Sequence, residues 1–126
     1  DMAIGKLMAR SCPNLSAEEV EAYNAPYPDV TYKAGVRRFP ELVPDNPEAG
    51  GAELSRRART WWNNEWQGKT FMAVGMQDPV LGPPAMAYLR SQINNCPEPY
   101  EVAEGGHFVQ EEGEEVARAA LAAFGD

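Results

Sequence analysis

The sequence predicts an α/β protein in which a short parallel β segment is flanked by helices and preceded by a helical stretch. Three observations carry that prediction. Helix signals dominate residues 1–66, the apolar pattern changes period at Lys69, and a proline-initiated helical segment separates two brief apolar runs. A strand–helix–strand–helix order reads as one βαβ unit with a covering helix. No internal repeat or low-complexity segment interrupts it.

The elements follow in order. Ile4, Leu7 and Met8 mark an apolar helix that stops at Cys12-Pro13. Ser16 followed three residues later by Glu19 is a capping-box signal, with Leu15 placed as a staple, and it starts a helix over 17–24. Pro26 and Pro28 close that helix and force an extended turn. Another helix is expected from about Thr31, carrying Tyr32, Val36 and Phe39 and broken at Phe39-Pro40. Residues 44–51, rich in proline and glycine, read as a loop. Residues 52–66 return to helix, with Leu54, Ala58, Trp61, Trp62 and Trp66 on an apolar side. Residues 69–75 are short, apolar and bounded by Gly68 and Gly75, which fits a strand buried on both faces. Pro83-Pro84 opens a helix carrying Met86, Leu89 and Ile93. After the turn at Cys96-Pro97-Glu98-Pro99, residues 100–103 form a second strand. Residues 109–124 supply the last helix through Val116, Ala120, Leu121 and Phe124.

Composition narrows the function classes. At 126 residues the chain suits one domain. Nineteen acidic against eleven basic residues give a charge of −8, which argues against a nucleic-acid surface because phosphate contacts need a positive footprint. The short basic sets Arg37-Arg38 and Arg56-Arg57-Arg59 read as solvated helix faces. No apolar run approaches a membrane span, and no secretory signal is visible at the start of the chain. Cys12 and Cys96 stand far apart, suggesting neither a disulfide framework nor a metal site, and a cytoplasmic setting is expected. No cofactor is implied.

Two residues invite a chemical reading. Asp78 lies three residues past the first expected strand, and His107 lies four past the second. Parallel sheets present their ligand sites at the carboxyl ends of strands, so both belong there. A carboxylate beside His Nδ1 fixes the tautomer and stabilises imidazolium, leaving Nε2 to act as a base. Gly105-Gly106 permits the close approach that would turn His107 inward. Two plainer readings stand beside this one. Asp78 suits a turn aspartate bonded to its own backbone, and a lone loop histidine suits a satisfied surface or core residue.

Several ordered segments are similar to the C-terminal part of haloalkane dehalogenases, within the α/β-hydrolase fold. They are Cys12-Pro13 through Pro28, residues 32–40, residues 71–78, Asn95-Cys96-Pro97-Glu98-Pro99 and Gly105-Gly106-His107-Phe108-Val109-Gln110-Glu111. The resemblance implies a partial α/β-hydrolase fold, with a helical cap remnant and linker over 1–50 and a C-terminal hydrolase portion over 51–126. In that family an aspartate displaces halide, and histidine then activates the water that hydrolyses the alkyl-enzyme ester. The resemblance makes His107 the general base and Asp78 its orienting acid. It places Phe39, Pro40 and Val43 near the substrate cavity, Val80 and Leu81 on its apolar wall, and Phe108 behind the histidine. Apolar walls suit a small halogenated substrate, which offers little to hydrogen-bond. Without the resemblance, Phe39, Val80 and Leu81 read as ordinary core packing.

The family's nucleophile elbow, its glycine-rich oxyanion region and its halide-binding tryptophans find no match in these segments. Trp61, Trp62 and Trp66 read instead as a helix face packing on the sheet, in core or interface. The expectation is therefore a hydrolase portion that is inactive alone and needs a complementary N-terminal half. A different class is a non-catalytic truncated chain that folds as a homo-oligomer, because a two-strand parallel core leaves sheet edges open. A third reading is part of an epoxide hydrolase or an esterase-like hydrolase.

Overall fold

The computed structural model describes residues 2–125. Helix α1 (Ile4–Ser11) and helix α2 (Ala17–Asn24) form a hairpin that buries Ile4, Gly5 and Met8. Gly5 lets the helices touch, since a Cβ there would fall 2.0 Å from the Val20 carbonyl oxygen. The Gly5 amide, one of the orphan donors of the first turn, is satisfied by Asn24 Oδ1 at 2.8 Å. Ser16 and Glu19 complete the capping box: Ser16 Oγ accepts from the Glu19 amide, and Glu19 accepts from the Ser16 amide at 2.8 Å. Such a cap contributes about 1 kcal/mol.

The single helix expected from Thr31 is three short pieces. Asp29 accepts from the Thr31 amide and starts a 3-10 turn, Val30–Lys33. Helix α3 (Ala34–Arg38) follows, then a second 3-10 turn, Phe39–Leu42. Pro40 cannot donate to a preceding carbonyl and its ring crowds the previous turn, so the α-helix ends before it. This stretch finds no core to cover: Tyr32, Phe39, Leu42 and Val43 are all exposed.

Helix α4 (Ala52–Asn64) starts from Gly51, whose φ of 89° is left-handed and suited to glycine. It ends two residues sooner than expected. The amides of Glu65 and Trp66 both donate to the Trp61 carbonyl, and the chain folds back. Trp61, Trp62 and Trp66 therefore pack on one another, with ring centroids 4.8–5.5 Å apart. Trp66 Nε1 donates to Thr70 Oγ1 at 2.8 Å. Trp61 stays 42% exposed, so it lies at the surface and not in the core.

Strand β1 (Ala73–Gly75) pairs in parallel with strand β2 (Tyr100–Val102), in the register Ala73–Tyr100, Val74–Glu101 and Gly75–Val102. Both are shorter than the expected 69–75 and 100–103. Lys69–Phe71 precedes the paired register, so that stretch forms no strand despite its composition. Burial is also one-sided. Met72, Val74 and Val102 are buried, whereas Phe71 and Ala73 are only half-buried and Tyr100 and Glu101 are exposed. Helix α5 (Pro83–Ser91) connects the strands, which makes one βαβ unit with a small parallel sheet flanked by helices. The last helix opens with a 3-10 turn, Val109–Glu112, and continues as α6 (Gly113–Phe124). Ile93 lies just past α5 and outside it.

The core is small, resting on Ile4, Met8, Cys12, Ala52, Met72, Val74 and Val102. Accessible surface totals 8897 Å². A compact monomer of 13.8 kDa would expose about 6,600 Å². No helix among the described residues is long and apolar enough to cross a membrane.

Candidate functional site

The two turns that leave the sheet are joined to each other. Beyond β1, the Met76 amide donates to the Val102 carbonyl at 3.0 Å and the Gln77 amide to the Gly105 carbonyl at 2.9 Å. The Gln77 side chain adds a bond to the Ala103 carbonyl at 3.2 Å. These bonds extend the parallel ladder past the strands and bring residue 78 beside residue 107. Glycine is required at the crossing. A Cβ on Gly75 would fall 2.6 Å from the Gly106 oxygen and 2.7 Å from the Gly105 oxygen.

His107 Nδ1 lies 3.0 Å from Asp78 Oδ1 and 3.1 Å from Oδ2. An ionised carboxylate only accepts, so Nδ1 carries the proton and Nε2 is left as the proton acceptor of the ring. The carboxylate side chain is 8% exposed and the imidazole 27%, which places the acid behind the base. The Phe108 ring packs edge-on to the imidazole, with centroids 5.0 Å apart.

Asp78 is also a turn aspartate. Its Oδ1 accepts from the Val80 amide at 2.7 Å and the Leu81 amide at 3.0 Å. The two readings of this residue coexist, because one carboxylate has lone pairs enough for both tasks. Burial pushes the carboxyl pKa up, but the Val80 and Leu81 amides and His107 outweigh it, leaving it below the ordinary 3.8. A depressed folded value stabilises the fold above the unfolded value, and that contribution disappears as pH falls through the lower folded one. Urea denaturation below about pH 4 should therefore show stability falling more steeply in the wild type than in Asp78→Asn. Parallel curves for the two proteins would contradict this assignment.

The apolar residues expected around a substrate are all exposed. Val80 and Leu81 reach Asp78 through their backbone amides, while the residues themselves are 63% and 55% exposed. Pro40 and Val43 line a recess with Arg38, Leu42 and Asp45, and neither Asp78 nor His107 borders it. Phe39 is 76% exposed. Cys12 and Cys96 are free thiols, and among the described residues no group of three or more His, Cys, Asp or Glu side chains is arranged to hold a metal ion.

Sequence reasoning missed the residues that seat the histidine turn from outside the sheet. The His107 amide donates to the Ser11 carbonyl at 2.9 Å, and Asn14 Nδ2 donates to the Glu104 carbonyl at 3.1 Å. The double glycine signalled a close approach but not its partner, which lies almost a hundred residues earlier in the chain.

No protein-family model matches the chain. It is 34% identical over 111 residues to a haloalkane dehalogenase of Mycolicibacterium paratuberculosis, covering 85% of this chain and 36% of that protein. A haloalkane dehalogenase of Psychrobacter cryohalolentis is 34% identical over 122 residues, covering 90% of this chain and 38% of the relative. Among solved structures, the tetrameric haloalkane dehalogenase DpaA from Paraglaciecola agarilytica NO2 superposes with a TM-score of 0.91 at 44% identity, over 99% of this chain and 42% of that one. The chain is thus homologous to part of haloalkane dehalogenases and spans a little over a third of the length of the curated relatives it matches.

Proposed function

We propose that this chain is the C-terminal portion of a haloalkane dehalogenase-like hydrolase, inactive alone and acting with a complementary N-terminal half that carries an aspartate nucleophile. Residues 1–50 are the helical cap remnant and linker, and residues 51–126 the C-terminal hydrolase portion. The observation that carries the reading is the Asp78–His107 pair at adjacent parallel strand ends, with Nδ1 held and Nε2 left as acceptor. In this role Asp78 orients His107 and stabilises the imidazolium, while His107 takes a proton from the water that attacks an alkyl-enzyme ester. The relatives' common name favours carbon–halogen cleavage of a small apolar substrate over epoxide or ester hydrolysis.

The excess surface supports a partner. About 2,300 Å² lies exposed beyond the compact expectation, more than the roughly 800 Å² that each partner buries in a standard protein interface. The outer edge of each strand has no strand neighbour among the described residues. Phe39, Pro40, Val43, Val80 and Leu81 would line the substrate cavity once the other half covers them. The tetrameric state of the Paraglaciecola relative makes homo-oligomerisation the alternative way to cover that surface, without catalysis. The free thiols fit a cytoplasmic setting.

Mixing this chain with the N-terminal portion of a dehalogenase relative, and following bromide release from 1-bromobutane, tests the proposal. Halide release is expected from the mixture and from neither piece alone. Turnover by this chain unaided would remove the need for a partner. A silent mixture containing a homo-oligomer of this chain would favour the non-catalytic reading.

A further inference from the structure

The Ser11–Asn14 connection between α1 and α2 lies in the region assigned to the cap, yet it grips the histidine turn on both sides. The Ser11 carbonyl accepts from the His107 amide at 2.9 Å. Upstream of the histidine, Asn14 Nδ2 donates to the Glu104 carbonyl at 3.1 Å. Downstream, the Cys12 thiol donates to the Phe108 carbonyl at 3.7 Å. Between these ties the two backbones touch, since a Cβ on Gly106 would fall 2.1 Å from the Ser11 oxygen.

We infer that Cys12 and Asn14 are positioning residues for His107, acting through the carbonyls that flank it and coupling the α1–α2 hairpin to the acid–base pair. Its functional meaning rests on the reading of His107 as a base; the geometric claim does not. Asp78 fixes the ring only if the histidine Cα is already in place. That placement is set by the turn, whose entry and exit carbonyls are held from the hairpin. Cys12 is 4% exposed, and its burial keeps the thiol pKa raised, so the sulfur retains the proton it donates. Asn14 is exposed, which makes its side chain replaceable without opening the core. Neither side chain bonds the imidazole itself.

Hydrogen exchange by NMR on the full chain tests this. Asn14→Asp keeps the side-chain shape without a donor, Cys12→Ala removes the thiol, and Cys12→Ser restores a donor. In Asn14→Asp/Cys12→Ala, the His107 amide should exchange at least about tenfold faster and the hydrogen-bonded Nδ1 proton signal should be lost. The Met76 and Tyr100 amides, which report the parallel ladder, should keep their rates. Cys12→Ser alone should resemble the wild type, and Asn14→Asp alone provides the same readout if the double variant does not fold. Unchanged exchange at His107, or equal acceleration at all three amides, would overturn the inference. No turnover is needed, so this result is separate from the halide assay.

Discussion

In an assembly that releases halide, His107→Ala is expected to deliver one equivalent of halide per site and then stall. Attack by a carboxylate nucleophile needs no proton removed, so the first half-reaction survives loss of the base. Hydrolysis of the ester does need one removed from water, and positioned base catalysis contributes about 10²- to 10⁴-fold. Steady-state turnover should fall by that factor, while an alkyl adduct accumulates on the companion portion and is visible by intact-mass measurement. Asp78→Asn should slow the same half-reaction by up to about 10⁴-fold, since it removes the charge that stabilises imidazolium and puts an NH2 donor in place of one of the two oxygens facing Nδ1, which favours the wrong tautomer. The geometry separates the two variants. An asparagine at position 78 can still accept from the Val80 and Leu81 amides, so its loss falls on the imidazole and not on the turn. Near wild-type turnover in His107→Ala, or multiple turnovers without an adduct, would sink the proposed role.

Gly106→Ala is the structural counterpart, expected to destabilise the chain by about 2–3 kcal/mol. The added methyl would lie 2.1 Å from the Ser11 carbonyl oxygen and close to the Cys12 backbone, so no side-chain rotation relieves it. Either the hairpin or the histidine turn must move. Moving the turn breaks the His107 amide bond to Ser11 and draws the ring away from Asp78. Against a typical domain stability of about 5–15 kcal/mol, a loss of this size is readable as a lower urea midpoint. The Nδ1 proton signal should weaken in the same sample. Gly113→Ala is the control, because nothing lies within 4 Å of a Cβ there. Equal midpoints for the two variants would show that the backbone contact at Gly106 is not tight.

Local signals in the chain were readable where the physics is local. The Ser16–Glu19 box depends on residues three apart, and it forms. Pro83-Pro84 begins a helix because the first helical amides have no intrahelical acceptor to lose. The break at Phe39-Pro40 follows from proline's missing donor, but no single helix spans it: Tyr32 and Phe39 share helical spacing with Val36, yet both stay exposed. Residues 69–75 have strand composition throughout, yet only Ala73–Gly75 pairs, because a strand exists only where a neighbour supplies the ladder.

By itself the sequence determined the order of helices and strands, the single βαβ unit, and the placement of one aspartate and one histidine just past successive strand ends. These follow from periodicity, capping and turn chemistry, which act over a few residues. Only the tertiary structure decided which atoms meet. It placed both Asp78 oxygens on His107 Nδ1, gave the Val80 and Leu81 amides to the same carboxylate, and seated the histidine turn on Ser11–Asn14. The His107–Ser11 bond among them joins a main-chain amide and a main-chain carbonyl, groups that nearly every residue type carries, across 96 residues. Backbone bonds of that kind leave little trace in side-chain identity, beyond the glycines that make room for them.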